Sequence, residues 1–273
     1  MPRPPLSKDT TLCISLAARP SNIGTRFHNH LYEVLELDFL YKAFTTTDIA
    51  AAIGGVRALG IRGCSVSMPF KQDVLSLVDH VEPSARAIHS VNTIVNDDGV
   101  LTASNTDYTA VAKLIEGHGL SPESTVLIHG SGGMASAVAT AFRDKGFEHG
   151  TVVARNEVTG PGLADRLGYH WRPHLGGACA SIIVNVTPVG MAGGPEEHDS
   201  PFAPDTIAAA DTVFDVVALP AETPLIVAAR DAGKRVITGA EVIALQAAEQ
   251  FERYTGVRPT PEQVAEASAI SRM

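Results

Sequence analysis

Cysteine is scarce in this sequence, and the few cysteines stand far apart. Cys13, Cys64 and Cys179 are the three among 273 residues, and an odd number at wide spacing supports neither a disulfide framework nor a zinc motif. Each stands in an apolar, strand-like run, so we expect reduced, buried thiols. His28 and His30, two residues apart, lack the spacing of two metal ligands on one helical face. The sequence therefore predicts no metal site.

Long apolar runs and blocks of positive charge are also missing. No stretch approaches the roughly 20 apolar residues that span a bilayer, and the start of the chain lacks the apolar core of a signal peptide. The formal net charge of -9 makes a nucleic acid or an anionic membrane an unfavourable partner. We therefore expect a cytoplasmic monomer or homodimer whose partner is a small molecule, with no nucleic acid and no membrane.

Alternating strand-like and helix-like segments indicate the fold class. With 45% apolar and 19% charged residues, the chain can bury a core, and its length suits two modest domains. We expect strands at 12–16, 39–44 and 61–67 with helices between them, and a helix that begins at Pro69. A second series of strands and helices starts near residue 124. The prediction is an α/β protein with parallel strands covered by helices.

A glycine-rich turn stands between a strand and a helix of the second series. Glycines at such a turn let the backbone approach a pyrophosphate, and the amides at the helix N-terminus attract it. The next strand ends before Arg155, where an NAD enzyme usually has an acid; an arginine favours the additional phosphate of NADP, although Glu157 could be that acid. A tight turn without a ligand is the alternative. The predicted NADP-binding residues are Gly130, Ser131, Gly132, Gly133, Met134, Ala135 and Arg155.

Two ionisable residues are candidates for catalysis. Lys71 lies in the first turn of the helix predicted at Pro69, where partial positive charge makes a cation unfavourable and favours a role in proton exchange. Asp107 lies in a polar break after a strand-like run. Ligands of doubly wound sheets gather at the carboxyl ends of strands, and both residues follow strands closely. On position alone, an exposed lysine at a helix start is the favoured interpretation of Lys71, and Asp107 could be no more than a helix cap.

Several short motifs in one order resemble the shikimate dehydrogenase family. They are S-x-P-F-K at 67–71, V-N-T at 91–93, N-T-D at 105–107, G-x-G-G at 130–133, N-x-T-x-x-G-M at 185–191, T-P at 223–224, and Gly239 with Gln246. Each motif is weak alone, but their common order from about residue 12 to 256 is specific. The sequence is similar to the shikimate-dehydrogenase-like subgroup, whose members keep the catalytic pair and alter the substrate pocket.

The resemblance implies an NADP-dependent oxidoreductase of aromatic amino acid biosynthesis. It would interconvert 3-dehydroshikimate and shikimate, or a close cyclic polyol acid, by hydride transfer. Lys71 would exchange the proton, and Asp107 would hydrogen-bond the reacting oxygen. The implied substrate contacts are Ser67, Asn92 and Gln246, and the implied neighbours of the cofactor are Asn185, Thr187, Met191, Val216 and Gly239.

The resemblance also implies two domains with different binding roles. An α/β substrate domain would span 1–108, completed by C-terminal helices over 240–273. A Rossmann-type, doubly wound NADP-binding domain would span 109–239, with the active site in the cleft between the two.

One segment departs from the family pattern. The family has S-x-S-P-x-x-H-N, whose serines bind the substrate carboxylate, whereas this chain has Asn22 and Gly24 at the serine positions. Asn22 and Thr25 are the predicted replacement donors, and Arg19 and Arg26 either bind the carboxylate or face solvent. Changed donors can change the preferred substrate. The alternatives are therefore a quinate or aminoshikimate dehydrogenase, a ligand-binding or regulatory protein with weak turnover, or a Rossmann-type reductase for an unrelated substrate.

Overall fold

The computed structural model describes residues 4–273, which form two compact units. The first unit takes in the chain up to Thr106 together with Ala244–Met273, and the second comprises Asp107–Ile243. The first unit is thus built from both ends of the chain.

The first unit contains a six-stranded sheet covered by helices. Its strands are β1 (Thr11–Ala17), β2 (Phe39–Thr45), β3 (Gly63–Val66), β4 (His80–Val81), β5 (Thr93–Asp97) and β6 (Val100–Ser104). Its helices are α1 (Ile23–Val34), α2 (Ile49–Ala58), α3 (Pro83–Arg86), α10 (Pro261–Ser271) and the part of α9 (Gly239–Thr255) from Ala244 onward. The strand order is β2-β1-β3-β5-β6-β4. This confirms the α/β class.

The sheet of the first unit is mixed rather than parallel. β1 runs parallel to β2 and β3, whereas β5 is antiparallel to both β3 and β6. The reason is local: Asp98 and Gly99 both have positive φ, at 51° and 91°, which is the conformation of a two-residue hairpin turn. Asn96 Oδ1 accepts a hydrogen bond from Gly99 N at 2.8 Å and fixes that turn.

Alternation along β1 builds a core on each face of this sheet. Ile14 and Leu16 face one cluster, which includes α2 residues. Cys13 faces the other, which includes Tyr41 and Phe251. Side chains of a strand alternate between faces, so both sides of β1 are buried.

The helix predicted from Pro69 is wrong. Residues 68–72 form turns, and a 3₁₀ helix follows at Asp73–Ser76. The carbonyl oxygen of Lys71 accepts a hydrogen bond from Val91 N at 2.7 Å, so it is used outside any helix. Lys71 therefore lies in a turn rather than at a helix N-terminus.

The prediction of three buried cysteines is also wrong for one of them. Cys13 and Cys64 are free and buried, but Cys179 is free and exposed. The strand after Cys179 begins only at Ile182, so this thiol lies in the preceding loop.

The second unit is a parallel, doubly wound sheet. Its strands are β7 (Val126–His129), β8 (Gly150–Val153), β9 (His170–Arg172), β10 (Ile182–Asn185), β11 (Thr212–Asp215) and β12 (Arg235–Ile237). Its helices are α4 (Thr106–Gly117, from Asp107 onward), α5 (Gly133–Asp144), α6 (Thr159–Leu167), α7 (Pro204–Ala209) and α8 (Pro224–Asp231). All neighbours pair in parallel.

The strand order of this sheet, β12-β11-β10-β7-β8-β9, is that of a Rossmann fold. The order reverses between β7 and β10, and ligands of such sheets bind outside the carboxyl ends of the strands at this point. The Rossmann-type prediction is confirmed. Within residues 4–273, no helix is long and apolar enough to cross a membrane.

Candidate functional site

The glycine turn joins β7 to α5 at the point where the strand order reverses. Gly130 has a φ of 131°, and a Cβ there would lie 2.8 Å from Val186 Cγ2, so only glycine fits. Gly132 is the N-cap of α5, and a Cβ there would meet nothing within 4 Å. The open side of the turn leaves the first amides of α5 accessible to an anion.

A cavity of about 590 Å³ lies beside this turn. That volume is in the range of small-molecule sites, roughly 300–1,000 Å³. The ends of β7 and β8 and the loop after β10 form its walls. The lining residues are His129, Gly130, Ser131, Val153, Ala154, Arg155, Asn156, Thr187, Pro188, Val189 and Glu196. The structure thus brings four predicted cofactor residues, Gly130, Ser131, Arg155 and Thr187, to one cavity.

His129, which the sequence analysis did not single out, lines this cavity and carries an orphaned polar atom. Its Nδ1 atom is buried and has no hydrogen-bond partner in the part of the chain that is described. Burial, and to a lesser extent the charge of Arg155, lowers the pKa of the imidazole. The ring lies 5.8 Å from the ring of Phe202. A neutral imidazole with an unsatisfied nitrogen therefore lines the cavity.

The loop after β10 is held by a buried polar network. Asn185 donates from Nδ2 to Asp215 Oδ1 at 3.0 Å and accepts from Thr187 Oγ1 at 2.6 Å. Thr223 Oγ1 donates to Asp215 Oδ2 at 2.6 Å, and Val217 N donates to Oδ1 at 3.0 Å. Burial raises the pKa of Asp215, against these hydrogen bonds. The side chain of Asn185 thus shapes the loop that carries Thr187.

The other predicted cofactor residues are not among those that line this cavity. Gly132 and Gly133 open α5, Ala135 is fully buried and Met134 is half-buried. Met191 is exposed, and Val216 N donates to Asn185 O at 3.0 Å. Gly239 permits a close approach, since a Cβ there would lie 2.4 Å from the carbonyl carbon of Val217.

In the first unit, Asn92 presents a buried amide. The residue is 2% exposed, and its Oδ1 accepts hydrogen bonds from Thr93 Oγ1 and Thr106 N, both at 2.8 Å. These bonds fix the orientation of the amide. The Nδ2 atom is buried and has no partner among residues 4–273, so it can donate to a ligand hydroxyl.

A second glutamine, Gln250, connects Gln246 to Asn92 by hydrogen bonds. Gln246 Nε2 donates to Gln250 Oε1 at 3.3 Å. Gln250, 3% exposed, donates from Nε2 to Thr93 Oγ1 at 2.9 Å and to Asn92 O at 3.2 Å. Gln250 therefore ties α9 to the start of β5. Its position one helical turn after Gln246 was the available signal.

The two predicted catalytic residues belong to different units. Lys71 is half-buried in the turn after β3, and Ser67, four residues earlier, is exposed. Asp107 lies in the first turn of α4 and is 8% exposed. It directly follows Thr106, whose backbone N–H donates a hydrogen bond to Asn92 Oδ1.

The altered segment surrounds the start of α1. Asn22 is the N-cap residue but makes no side-chain capping bond, and it is exposed. The Oγ1 atom of Thr25 is buried without a hydrogen-bond partner in residues 4–273. Arg19 and Arg26 are exposed.

The described residues suit a dinucleotide rather than a metal ion. Within the described range 4–273, no group of three or more His, Cys, Asp or Glu side chains is placed to hold a metal ion. For a dinucleotide, the turn, the cavity, the cation Arg155 and the orphaned nitrogen of His129 form a fitting donor set.

Comparison with known proteins gives concordant matches. The family model of the shikimate dehydrogenase substrate binding domain matches residues 22–94. A shikimate dehydrogenase-like protein of Haemophilus influenzae is 56% identical over 267 residues, covering 98% of each chain. A solved structure of a shikimate 5-dehydrogenase-like protein superposes with a TM-score of 0.96 at 56% identity, covering 98% of this chain and 100% of the other. Shikimate 5-dehydrogenase of Thermus thermophilus, in complex with NADP(H) and shikimate, has a TM-score of 0.85 at 28% identity, with coverage of 96% and 99%.

Proposed function

Because this chain belongs to the shikimate dehydrogenase family, we propose that it is an NADP-dependent oxidoreductase that interconverts 3-dehydroshikimate and shikimate or a close cyclic polyol acid. The observation that carries this proposal is the buried Nδ2 atom of Asn92, which has no hydrogen-bond partner among residues 4–273. A buried donor left unsatisfied costs about 1–3 kcal/mol. A hydroxyl of a polyol ring removes that cost, and the hydroxyls of such a ring suit the nearby Gln246 and Ser67.

Lys71 and Asp107 are the proposed catalytic pair. A bound nicotinamide dinucleotide would supply or accept the hydride. During oxidation of the alcohol, Lys71 Nζ takes the hydroxyl proton, and during reduction it returns that proton to the oxygen. Asp107 accepts a hydrogen bond from the alcohol hydroxyl before the proton leaves, and it accepts one from the Lys71 ammonium once Lys71 carries that proton.

The proposed cofactor is NADP, bound by the second unit. Arg155 at the end of β8 offers a guanidinium to the additional phosphate, for which charge-assisted hydrogen bonds are strong. Asn156, beside it, uses its Oδ1 to cap α6 through Val158 N and Thr159 N, both at 2.9 Å. The side chain of Asn156 is therefore used for capping, and Arg155 is the proposed charged donor to the phosphate. Met191, Val216 and Gly239 are the proposed border of the nicotinamide half.

We also propose roles for the two domains, a cellular location and an oligomeric state. Residues 1–108 with 240–273 would serve as the substrate domain, and residues 109–239 as the nucleotide domain. The protein would act in the cytoplasm, on a small molecule, as a monomer or homodimer.

A second candidate function is ligand binding with weak turnover. The altered segment favours it, because Asn22 is exposed and Gly24 has no side-chain donor. In this case the protein would bind a cyclic polyol acid and the dinucleotide, but the carboxylate would not be held in a productive position.

The test is the initial rate of NADP and, separately, NAD reduction with saturating shikimate and with saturating quinate. We expect NADP-linked turnover that Lys71→Ala reduces by at least about 100-fold, the usual range for loss of an acid-base group. Lys8→Ala, at an exposed lysine, is the matched control and should retain the wild-type rate. Turnover that survives Lys71→Ala contradicts the catalytic assignment. Shikimate binding by calorimetry without turnover supports the second candidate.

A further inference from the structure

His129 lies at the junction of the strand and the nucleotide-binding turn. It is the last residue of β7 and directly precedes Gly130. Its ring packs near Phe202, with 5.8 Å between ring centroids, and its Nδ1 is buried without a partner in the part of the chain described. Packing alone would be served by an aliphatic side chain, which carries no unsatisfied nitrogen.

Arg155 approaches the same region from the neighbouring strand. β7 and β8 pair in parallel with His129 opposite Val153, and Arg155 lies two residues after the end of β8. Both side chains line the cavity, whose acidic lining residue is Glu196 from the loop after β10. The charge of Arg155 lowers the pKa of His129, in addition to the larger effect of burial. The two side chains are therefore close enough to interact electrostatically.

We propose that His129 is a specificity-determining residue that, together with Arg155, binds the phosphorylated ribose of the dinucleotide. The identity of the dinucleotide rests on the proposed function. A phosphate placed beside the Arg155 guanidinium accepts a hydrogen bond from the orphaned nitrogen once the imidazole is protonated, and it offsets the repulsion between Arg155 and that protonated ring. The dianion favours the protonated ring, so binding draws a proton onto His129. A nucleotide without this phosphate provides neither effect.

The test uses the adenosine half of the nucleotide, so that turnover is not needed. Titration calorimetry measures the binding of adenosine 2′,5′-bisphosphate and of AMP to the wild type, His129→Leu and His129→Gln. We expect His129→Leu to weaken the bisphosphate by roughly tenfold, the value of one charge-assisted hydrogen bond, and AMP by less than about twofold. Arg155→Ala is the positive control, and thermal unfolding verifies that each variant is folded.

Proton uptake separates recognition from packing. Titrations at pH 6.5 in two buffers of different ionisation enthalpy give the number of protons taken up with the bisphosphate. The ligand's own titration is common to all variants, so the difference between wild type and variant isolates the imidazole. We expect greater uptake by the wild type than by His129→Leu or His129→Gln, with His129→Gln retaining part of the affinity.

Four results would overturn the inference. They are equal weakening of bisphosphate and AMP, unchanged binding in both variants, identical proton uptake by wild type and variants, and absence of bisphosphate binding by the wild type. Failure of the proposed function has a different signature: bisphosphate binding that depends on His129, in a protein that reduces no NADP with any cyclic polyol acid. Absence of bisphosphate binding overturns the inference whatever the turnover.

Discussion

His28 should make the first unit sensitive to acid. The imidazole is 1% exposed and stacks on Tyr41 with ring centroids 4.3 Å apart, with Phe251 on the same cluster at 6.1 Å. Burial lowers its pKa from 6.5 to about 3, although a hydrogen bond with Gln250 opposes the shift. The folded state therefore binds fewer protons than the unfolded state between these values. Stability from this group is complete above pH 6.5 and is lost as the pH falls toward 3.

The size of the effect follows from the shift. Each pH unit below the unfolded pKa costs about 1.36 kcal/mol, so at pH 5 the free energy of unfolding should fall by about 2 kcal/mol through His28 alone. Urea unfolding at pH 7 and pH 5, followed by the near-ultraviolet circular dichroism of the tyrosine cluster, measures this loss. His28→Phe keeps an aromatic ring and should lose about 2 kcal/mol less than the wild type between the two pH values.

The control is an exposed histidine. His198→Gln, at an exposed position, should reproduce the wild-type pH dependence. If His28→Phe loses as much stability between pH 7 and pH 5 as the wild type does, the buried, neutral state of His28 is refuted.

Two further substitutions test a close packing contact and a buried hydrogen bond. Gly63→Ala would place a Cβ 2.3 Å from the Tyr254 ring, and we expect the free energy of unfolding in denaturant to fall by about 3 kcal/mol. The control is Gly54→Ala in α2, where a Cβ meets nothing within 4 Å; it should be neutral or stabilising, and equal results for the two substitutions would contradict the predicted clash. Thr223→Val removes the 2.6 Å hydrogen bond to Asp215 and should cost about 2 kcal/mol, a loss that unfolding at pH 7 would measure and that a wild-type midpoint would disprove.

Strands and helices with clear periodicity could be predicted from the sequence. The alternation in β1 and the spacing in α1 are local patterns, and both elements fall where the pattern places them. The limits of α10 follow from chemistry that is also local. Thr260 and Gln263 form a capping box, and Pro261 occupies the first helical position; both are local signals of a helix start.

The wrong helix at Pro69 shows where periodicity misleads. Phe70 and Val74 are spaced as on a helix, and both are buried, but they reach the core from turns and a 3₁₀ segment. Leu75 N bonds to Gln72 O at 3.2 Å, three residues back. The antiparallel β5 had a visible signal in the Asp98-Gly99 turn, which strand patterns alone do not weigh.

Some residues of the candidate site could be predicted from local patterns in the sequence, and others could not. The glycine turn and Arg155 could be predicted because a short motif holds all the necessary information. His129 and Gln250 could not, because their importance comes from partners far along the chain. Gln250 matters because it reaches Thr93, and His129 because its Nδ1 reaches no partner in the described residues. Neither fact is present in a local pattern.

The altered segment at α1 redistributes hydrogen-bond donors rather than simply deleting them. Gly24 has no side-chain donor. The Tyr41 hydroxyl lies close by, 3.5 Å from where a Cβ of residue 24 would be, but it already donates its hydrogen bond to Ser65 Oγ at 2.7 Å. Asn22 is exposed, whereas Thr25 Oγ1 is buried with no partner in residues 4–273. The donor with an unmet hydrogen bond is therefore Thr25, one residue past the second serine of the family pattern. Since a matched buried donor discriminates strongly between ligands, we expect, under the proposed function, that a displaced donor changes which cyclic polyol acid is preferred, and not only how tightly it binds.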